Sequence, residues 1–103
     1  MRVKGKQISF EWDGGNLDKS SIKHGITPKE AEEVFVSEKS YIVPDVKHSQ
    51  KEERFIILGR TNDEKNLFVV FTLRNYKVRV ISARRMHREE VEKYEKAKKD
   101  PQI

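Results

Sequence analysis

Residues 55–60, 67–73 and 77–83 are three apolar segments rich in Ile, Val, Leu and Phe, and Asn75-Tyr76 is the centre of the short link between the last two. Such segments favour strands, and links this short join antiparallel neighbours. If Asn75-Tyr76 is a two-residue turn, Thr72 falls opposite Arg79 and Phe71 opposite Val80, which gives the sheet two unlike faces. Val69, Phe71, Leu73, Val78 and Val80 make the apolar face. The other carries Phe68, Val70 and Ile81 toward one end and Thr72, Arg74, Lys77 and Arg79 toward the other. That polar end could receive a phosphate. The link before residue 67 has no diagnostic length, and a one-residue slip there exchanges Glu53 with Arg54 on the polar face, so both registers stay open.

Elements before and after the meander have their own signals. Ile8, Phe10 and Trp12 alternate with Ser9 and Glu11 in the two-residue period of an edge strand, which Asp13-Gly14-Gly15-Asn16 breaks. Residues 17–24 read as a short helix with Asn16 as a cap and Gly25 as a left-handed stop. A second helix opens at Thr27, with Pro28 in its first position, Glu30 completing a capping box and Ile26 and Ala31 as a hydrophobic staple. Its stripe of Ala31, Val34 and Phe35 should bury against the sheet. Tyr41, Ile42 and Val43 are strand-like until Pro44, and residues 45–50 form a polar loop. From Arg84 to about Lys99 the residues favour a helix, with Met86, Val91, Tyr94 and Ala97 on one side. The expectation is an α+β fold: an antiparallel sheet with two short N-terminal helices and a C-terminal helix, in one domain over residues 1–103.

Composition narrows the chemistry. The chain has no cysteine, which removes disulfides, zinc-thiolate centres and thiol nucleophiles. Its net charge of +5 favours a polyanionic partner, nucleic acid or an acidic protein, without selecting between them. The basic N-terminus lacks the apolar run of a signal peptide or membrane span, so a cytoplasmic protein is expected. Walker loops, dinucleotide fingerprints and nucleophile elbows are missing, and three scattered histidines without paired spacing argue against a metal centre.

The stretch Asp45, His48, Ser49, Glu52, Glu53, Arg54, Phe55 stands out, because an imidazole, carboxylates and a guanidinium leading into an apolar strand do nothing for its stability. Cleaving RNA without a metal needs a base near the 2′-hydroxyl, an acid near the leaving 5′-oxygen and cations around the phosphorane. His48 can exchange protons at cellular pH, or it is a solvent-exposed loop histidine. Glu52 and Glu53 can serve as base or hold His48 in one tautomer, or they pair with Arg54 and the basic strand face. Arg54, Arg79 and Arg84 offer forks that match a phosphate, although Arg84 could equally brace the junction into the last helix. His24 fits a structural role beside a helix end, His87 a surface or packing role, and Lys23 could reach RNA. The alternating Glu and Lys residues from 89 onward are most simply a solvated helix face.

Together these segments resemble the BrnT family, the ribonuclease toxins of bacterial type II toxin–antitoxin pairs. The resemblance runs from Phe10-Glu11-Trp12-Asp13 through Lys23-His24-Gly25, Glu30-Ala31, Val34-Phe35, His48-Ser49, Glu52-Glu53-Arg54, Leu67-Phe68-Val69-Val70 and Ile81-Ser82-Ala83-Arg84 to Tyr94-Glu95. Ser20 and Asn16 stand where the family usually has asparagine and lysine, and Gly14-Gly15 is atypical. The resemblance implies a RelE-like fold, a translation-blocking ribonuclease without a cofactor, a BrnA-type antitoxin, and operator DNA contacted only through the antitoxin complex. Carried over by position, it implies His48, Glu53, Arg54, Arg79 and Arg84 as the catalytic set. Lys23, Glu52, Arg74 and Lys77 are expected substrate contacts. The competing reading is a non-catalytic module that binds nucleic acid or a protein through the same basic face; a purely structural subunit meeting an acidic partner is a third.

Overall fold

A computed structural model of the chain describes residues 8–11, 25–48 and 52–99. Strand β1 (Phe10–Glu11) is followed by helix α1 (Pro28–Val36), strand β2 (Tyr41–Pro44) and a single 3-10 turn (Val46–His48). Strands β3 (Arg54–Arg60), β4 (Asn66–Arg74) and β5 (Lys77–Arg85) then lead to helix α2 (Arg88–Lys99). The five strands form one sheet in the order β1-β5-β4-β3-β2. β1 runs parallel to β5, so the sheet is mixed and the expectation of a purely antiparallel one is corrected. A two-residue strand from the start of the chain gives no local sign of its direction once it pairs with the most distant strand. The short helix expected over residues 17–24 lies outside the described residues.

Helix α1 begins as its sequence dictates. The Thr27 hydroxyl accepts from Glu30 N at 3.2 Å, and the Glu30 carboxylate accepts from Thr27 N at 2.9 Å, so the capping box is closed. Ala31, Val34 and Phe35 bury against Ile57, Leu67, Val69, Phe71, Val78, Val80 and Ala83. Phe35 meets Phe10 and Phe71 edge-on, with ring centroids 5.4 and 4.8 Å away. The helix comes so close to β3 that a Cβ on Gly59 would lie 2.6 Å from Val34 Cγ1. Only a residue without a side chain fits there. Glu30 also takes a 2.6 Å ion pair from Lys65, and Glu33 accepts from Asn62 N at 3.0 Å, which ties the β3–β4 connection to the helix.

The β4–β5 turn is tight. Asn75 and Tyr76 have φ of 53° and 65°, the left-handed pair that a type I′ turn requires. Neither is glycine, so each residue held there costs on the order of 1 kcal/mol. Beyond the turn, Leu73 pairs with Val78, Thr72 with Arg79 and Phe71 with Val80, the register expected from the turn length. The ladder then slips, because Val70 pairs with Ser82 and leaves Ile81 as an extra residue. This bulge exchanges the faces of everything after it. Ala83 enters the core, 1% exposed, and Arg84 comes opposite Phe68 on the other face.

The C-terminal helix starts later than expected. Arg84 and Arg85 belong to β5, and the helix begins at Arg88. Pairing with Phe68 and Leu67 holds these arginines in the sheet, overriding their helical propensity. Helix α2 reaches the sheet face opposite α1 through Tyr94, which is buried and meets Tyr41 edge-on at 5.9 Å. Tyr41 OH donates to the Ala97 carbonyl at 2.9 Å. Among the described residues, no helix is long and apolar enough to cross a membrane.

Candidate active site

Register settles which side chains share the face away from α1. Arg54 pairs with Thr72, and Thr72 with Arg79, which pairs in turn with Glu11. Residues directly opposite one another in a ladder point to the same side. The result is a row, Arg54–Thr72–Arg79–Glu11, running across four strands. It decides the open choice at the start of β3 in favour of Arg54, while the Glu53 side chain stays exposed. The five-residue connection from Thr61 fixes this register, with Glu64 in the left-handed region at φ 64° and Thr61 N donating to the Lys65 carbonyl at 2.9 Å.

Thr72 is the pivot of the row. It is 2% exposed although it lies on the polar face, and its hydroxyl donates to the Glu53 carbonyl at 2.6 Å. This bond holds the backbone just before β3 against β4. Arg79 is half-buried, and its guanidinium meets the Glu11 carboxylate at 3.2 Å. Two pairs nearer the turn, on the same face, Arg74 and Lys77 face each other and are both exposed. Arg74 makes a long 3.5 Å contact with Glu52. Exposed pairs of this kind contribute little to stability, so Arg74 is easily recruited by an anion.

The turn that ends at His48 leaves from the same end of the sheet. Asp45 N donates to the Arg54 carbonyl at 2.8 Å, which extends the β2–β3 ladder by one rung and sets the Val46–His48 turn beside the start of β3. Lys23 lies outside the described residues, as do Ser49 and the two residues after it.

Arg84 stands apart from this group. Four residues of β4 separate its partner Phe68 from Thr72, a distance of about 14 Å along a strand. Both terminal nitrogens of Arg84 reach the Glu90 carboxylate, at 2.7 and 2.8 Å, and its guanidinium carbon sits 3.9 Å from the centre of the Phe68 ring. Glu90 also accepts from His87 N at 2.7 Å, at the mouth of α2. The Arg84 hydrogen bonds, joined by the one from His87, hold the Glu90 carboxyl below its ordinary range despite its partial burial. In this arrangement Arg84 clamps the strand-to-helix junction.

One member of the row, Glu11, and the burial of another, Thr72, escape the sequence. Glu11 sits in an alternating segment whose period places it opposite Phe10, but nothing local says that β1 docks against β5. Thr72 was on the polar end of the hairpin, yet its burial depends on the neighbouring strands. Among the described residues, no three His, Asp or Glu side chains gather as a metal site requires.

A sheet sealed on one face by a helix and crossed on the other by arginines next to a histidine-bearing loop defines a small α+β protein with a basic working face. The chain belongs to the family of BrnT ribonuclease toxins of type II toxin–antitoxin systems, whose model matches residues 12–90. That span includes His48, Glu53, Arg54, Arg79 and Arg84; Glu11 falls just before it. No curated protein matches the chain. Membership implies an RNA target and an antitoxin partner.

Proposed function

We propose that the chain is a metal-independent RNA endonuclease with a RelE-like fold, that it blocks translation, and that a BrnA-type antitoxin neutralises it by covering the polar face. The observation that carries this reading is the Arg54–Thr72–Arg79 row at the sheet end from which the His48 turn departs. Two guanidiniums in one row, on the strands either side of Thr72 and so about 10 Å apart at their backbones, offer cationic forks that can converge on one phosphodiester, with no metal needed to neutralise the developing charge.

The reaction runs as an internal transesterification. The 2′-oxygen attacks phosphorus and loses its proton to a base, the bond to the 5′-oxygen breaks, and an acid returns a proton to that oxygen. His48 exchanges one of these protons. Glu53 takes the other or orients His48. Arg54 and Arg79 hold the non-bridging oxygens, and Glu11 keeps Arg79 aligned in the row until substrate arrives. Glu52, Arg74, Lys77 and Lys23 extend the contact along the strand of RNA. Arg84, clamped to Glu90, acts on the site by fixing the strand that carries Arg79.

Purified protein should cleave RNA in excess chelator and leave cyclic or 3′-phosphate ends; a requirement for magnesium would overturn the mechanism. Expression alone should arrest bacterial growth, and the partner encoded beside it should restore growth. A combined His48→Ala, Glu53→Ala and Arg79→Ala variant should stay folded and lose toxicity, since Glu53 is exposed and a partly exposed ion pair such as Arg79–Glu11 contributes no more than about 1 kcal/mol. A folded and equally toxic variant would show that these residues are not the site. RNA binding by wild-type protein without turnover would instead identify a non-catalytic binding module.

A further inference from the structure

Tyr76 is the most exposed large hydrophobic residue among the described residues, at 100%, and it occupies a backbone conformation that tyrosine disfavours. Asparagine followed by glycine is the sequence that a type I′ turn prefers, so a tyrosine in the second place burdens the hairpin and gains no packing in return. Strain held at an exposed aromatic points to a ligand. Its surroundings indicate which one. Arg74 and Lys77 flank the turn as a facing pair, and Thr72 and Arg79 are the next pair on the same face. Two residues of an antiparallel strand cover about 6.8 Å, a step comparable to that between neighbouring phosphates of an extended single strand.

We propose that Tyr76 is a base-stacking platform for single-stranded RNA, holding the nucleobase next to the scissile phosphate while Arg74 and Lys77 hold the phosphate attached to it. The inference rests on the reading that Arg79 faces the scissile phosphate, and it adds a subsite beyond it. Stacking tolerates any base, because every base presents a π-face, so Tyr76 contributes affinity and register without choosing sequence. The phenol ring stands clear of the sheet, where a splayed base can reach it without displacing protein contacts.

The test uses a short RNA with a 2′-O-methyl group at the cleaved nucleotide, which binds without reacting. Tyr76→Gly removes the ring and relieves the backbone, and should leave Tm unchanged or raised. It should weaken RNA binding by about five- to a hundredfold. Because the lost contact is uncharged, the dependence of affinity on salt should keep its slope, whereas Lys77→Ala should make the slope shallower by about one unit. Tyr76→Phe should bind as wild type does. An abasic nucleotide placed in turn on each side of the cleavage site should weaken wild-type binding at one position, and the same substitution should have no effect on Tyr76→Gly. Equal RNA affinity for wild type and Tyr76→Gly would overturn the stacking role and leave the cleavage reading intact. If Tyr76→Gly then lost affinity for the antitoxin, the tip would be a protein contact. Failure of wild-type protein to bind RNA would remove both readings together. Tyr76→Asn, which also tolerates this conformation, repeats the test if the glycine variant does not fold.

Discussion

Both terminal nitrogens of Arg84 bond the two carboxylate oxygens of Glu90, at 2.7 and 2.8 Å, across the junction from the last strand to the last helix. The pair is partly shielded, with side-chain exposures of 26% and 23%, and the Phe68 ring lies against the guanidinium. Arg84→Ala should therefore destabilise the fold by about 1–3 kcal/mol, read by urea unfolding. Arg84→Lys should recover only part of this, because an ammonium cannot make the two-pronged contact or stack in the same way. Any loss of cleavage in Arg84→Ala should be accompanied by this loss of stability; full stability with no activity would place Arg84 on the substrate.

Thr72 offers a second separation of structure from chemistry. Thr72→Val keeps the shape of a buried side chain and removes the hydrogen bond to the Glu53 carbonyl. The expected cost is about 1–2 kcal/mol. Thr72→Ser should keep the bond and behave nearly as wild type. If Thr72→Val matches wild type in both chemical denaturation and RNA cleavage, the bond does not fix the start of β3.

Gly59 should be intolerant of the smallest side chain. A Cβ there meets Val34 Cγ1 at 2.6 Å and Ser40 Cβ at 3.1 Å, in a region where Val34 is fully buried. Gly59→Ala is expected to lower stability by about 1–3 kcal/mol through overpacking. Adding Val34→Ala should recover part of that loss by making room, although it costs packing of its own. Strict additivity in the double-mutant cycle would show that the two positions do not touch.

Acid should weaken two specific contacts. Glu30 is held below its ordinary value of 4.5 chiefly by Lys65 and the Thr27 backbone, and Glu90 likewise, chiefly by Arg84. A depressed carboxyl pKa contributes stability that is fully present above the unfolded value and is lost as pH falls through the folded one. Tm should therefore fall as pH drops below about 4.5. Glu90→Gln should be less stable than wild type at neutral pH and show a flatter acid limb; an unchanged limb in both Glu90→Gln and Glu30→Gln would assign the acid sensitivity elsewhere.

Local chemistry made much of this arrangement readable. The turn length fixed Thr72 opposite Arg79, and the capping box, staple and apolar stripe of α1 follow from consecutive residues. What escaped depends on partners distant in the chain. The parallel docking of β1 against β5 brought Glu11 to Arg79, and no periodicity in either segment encodes it. Choosing Arg54 over Glu53 required the conformation of the Thr61–Lys65 connection, where a glutamate occupies the left-handed position more often filled by glycine or asparagine. The place of Arg84 depended on the unpaired Ile81. Of the candidate residues, Arg54, Arg79, Arg74 and Lys77 share one end of the face, whereas Arg84 occupies the other.

The extra residue in β5 lets one strand run in two phases. From Lys77 to Val80 the buried positions are the even-numbered Val78 and Val80, and past Ile81 the buried position is the odd-numbered Ala83. Deleting Ile81 would close this break: Ser82 would follow Val80 directly and still meet Val70, so Ala83 would stay inward and Arg84 would stay opposite Phe68. Inversion would come instead from pressing Ile81 into the ladder as a paired residue, which would turn Ala83 outward and draw Arg84 away from Glu90, so the last helix keeps its anchor only while one residue of the strand stands out of step.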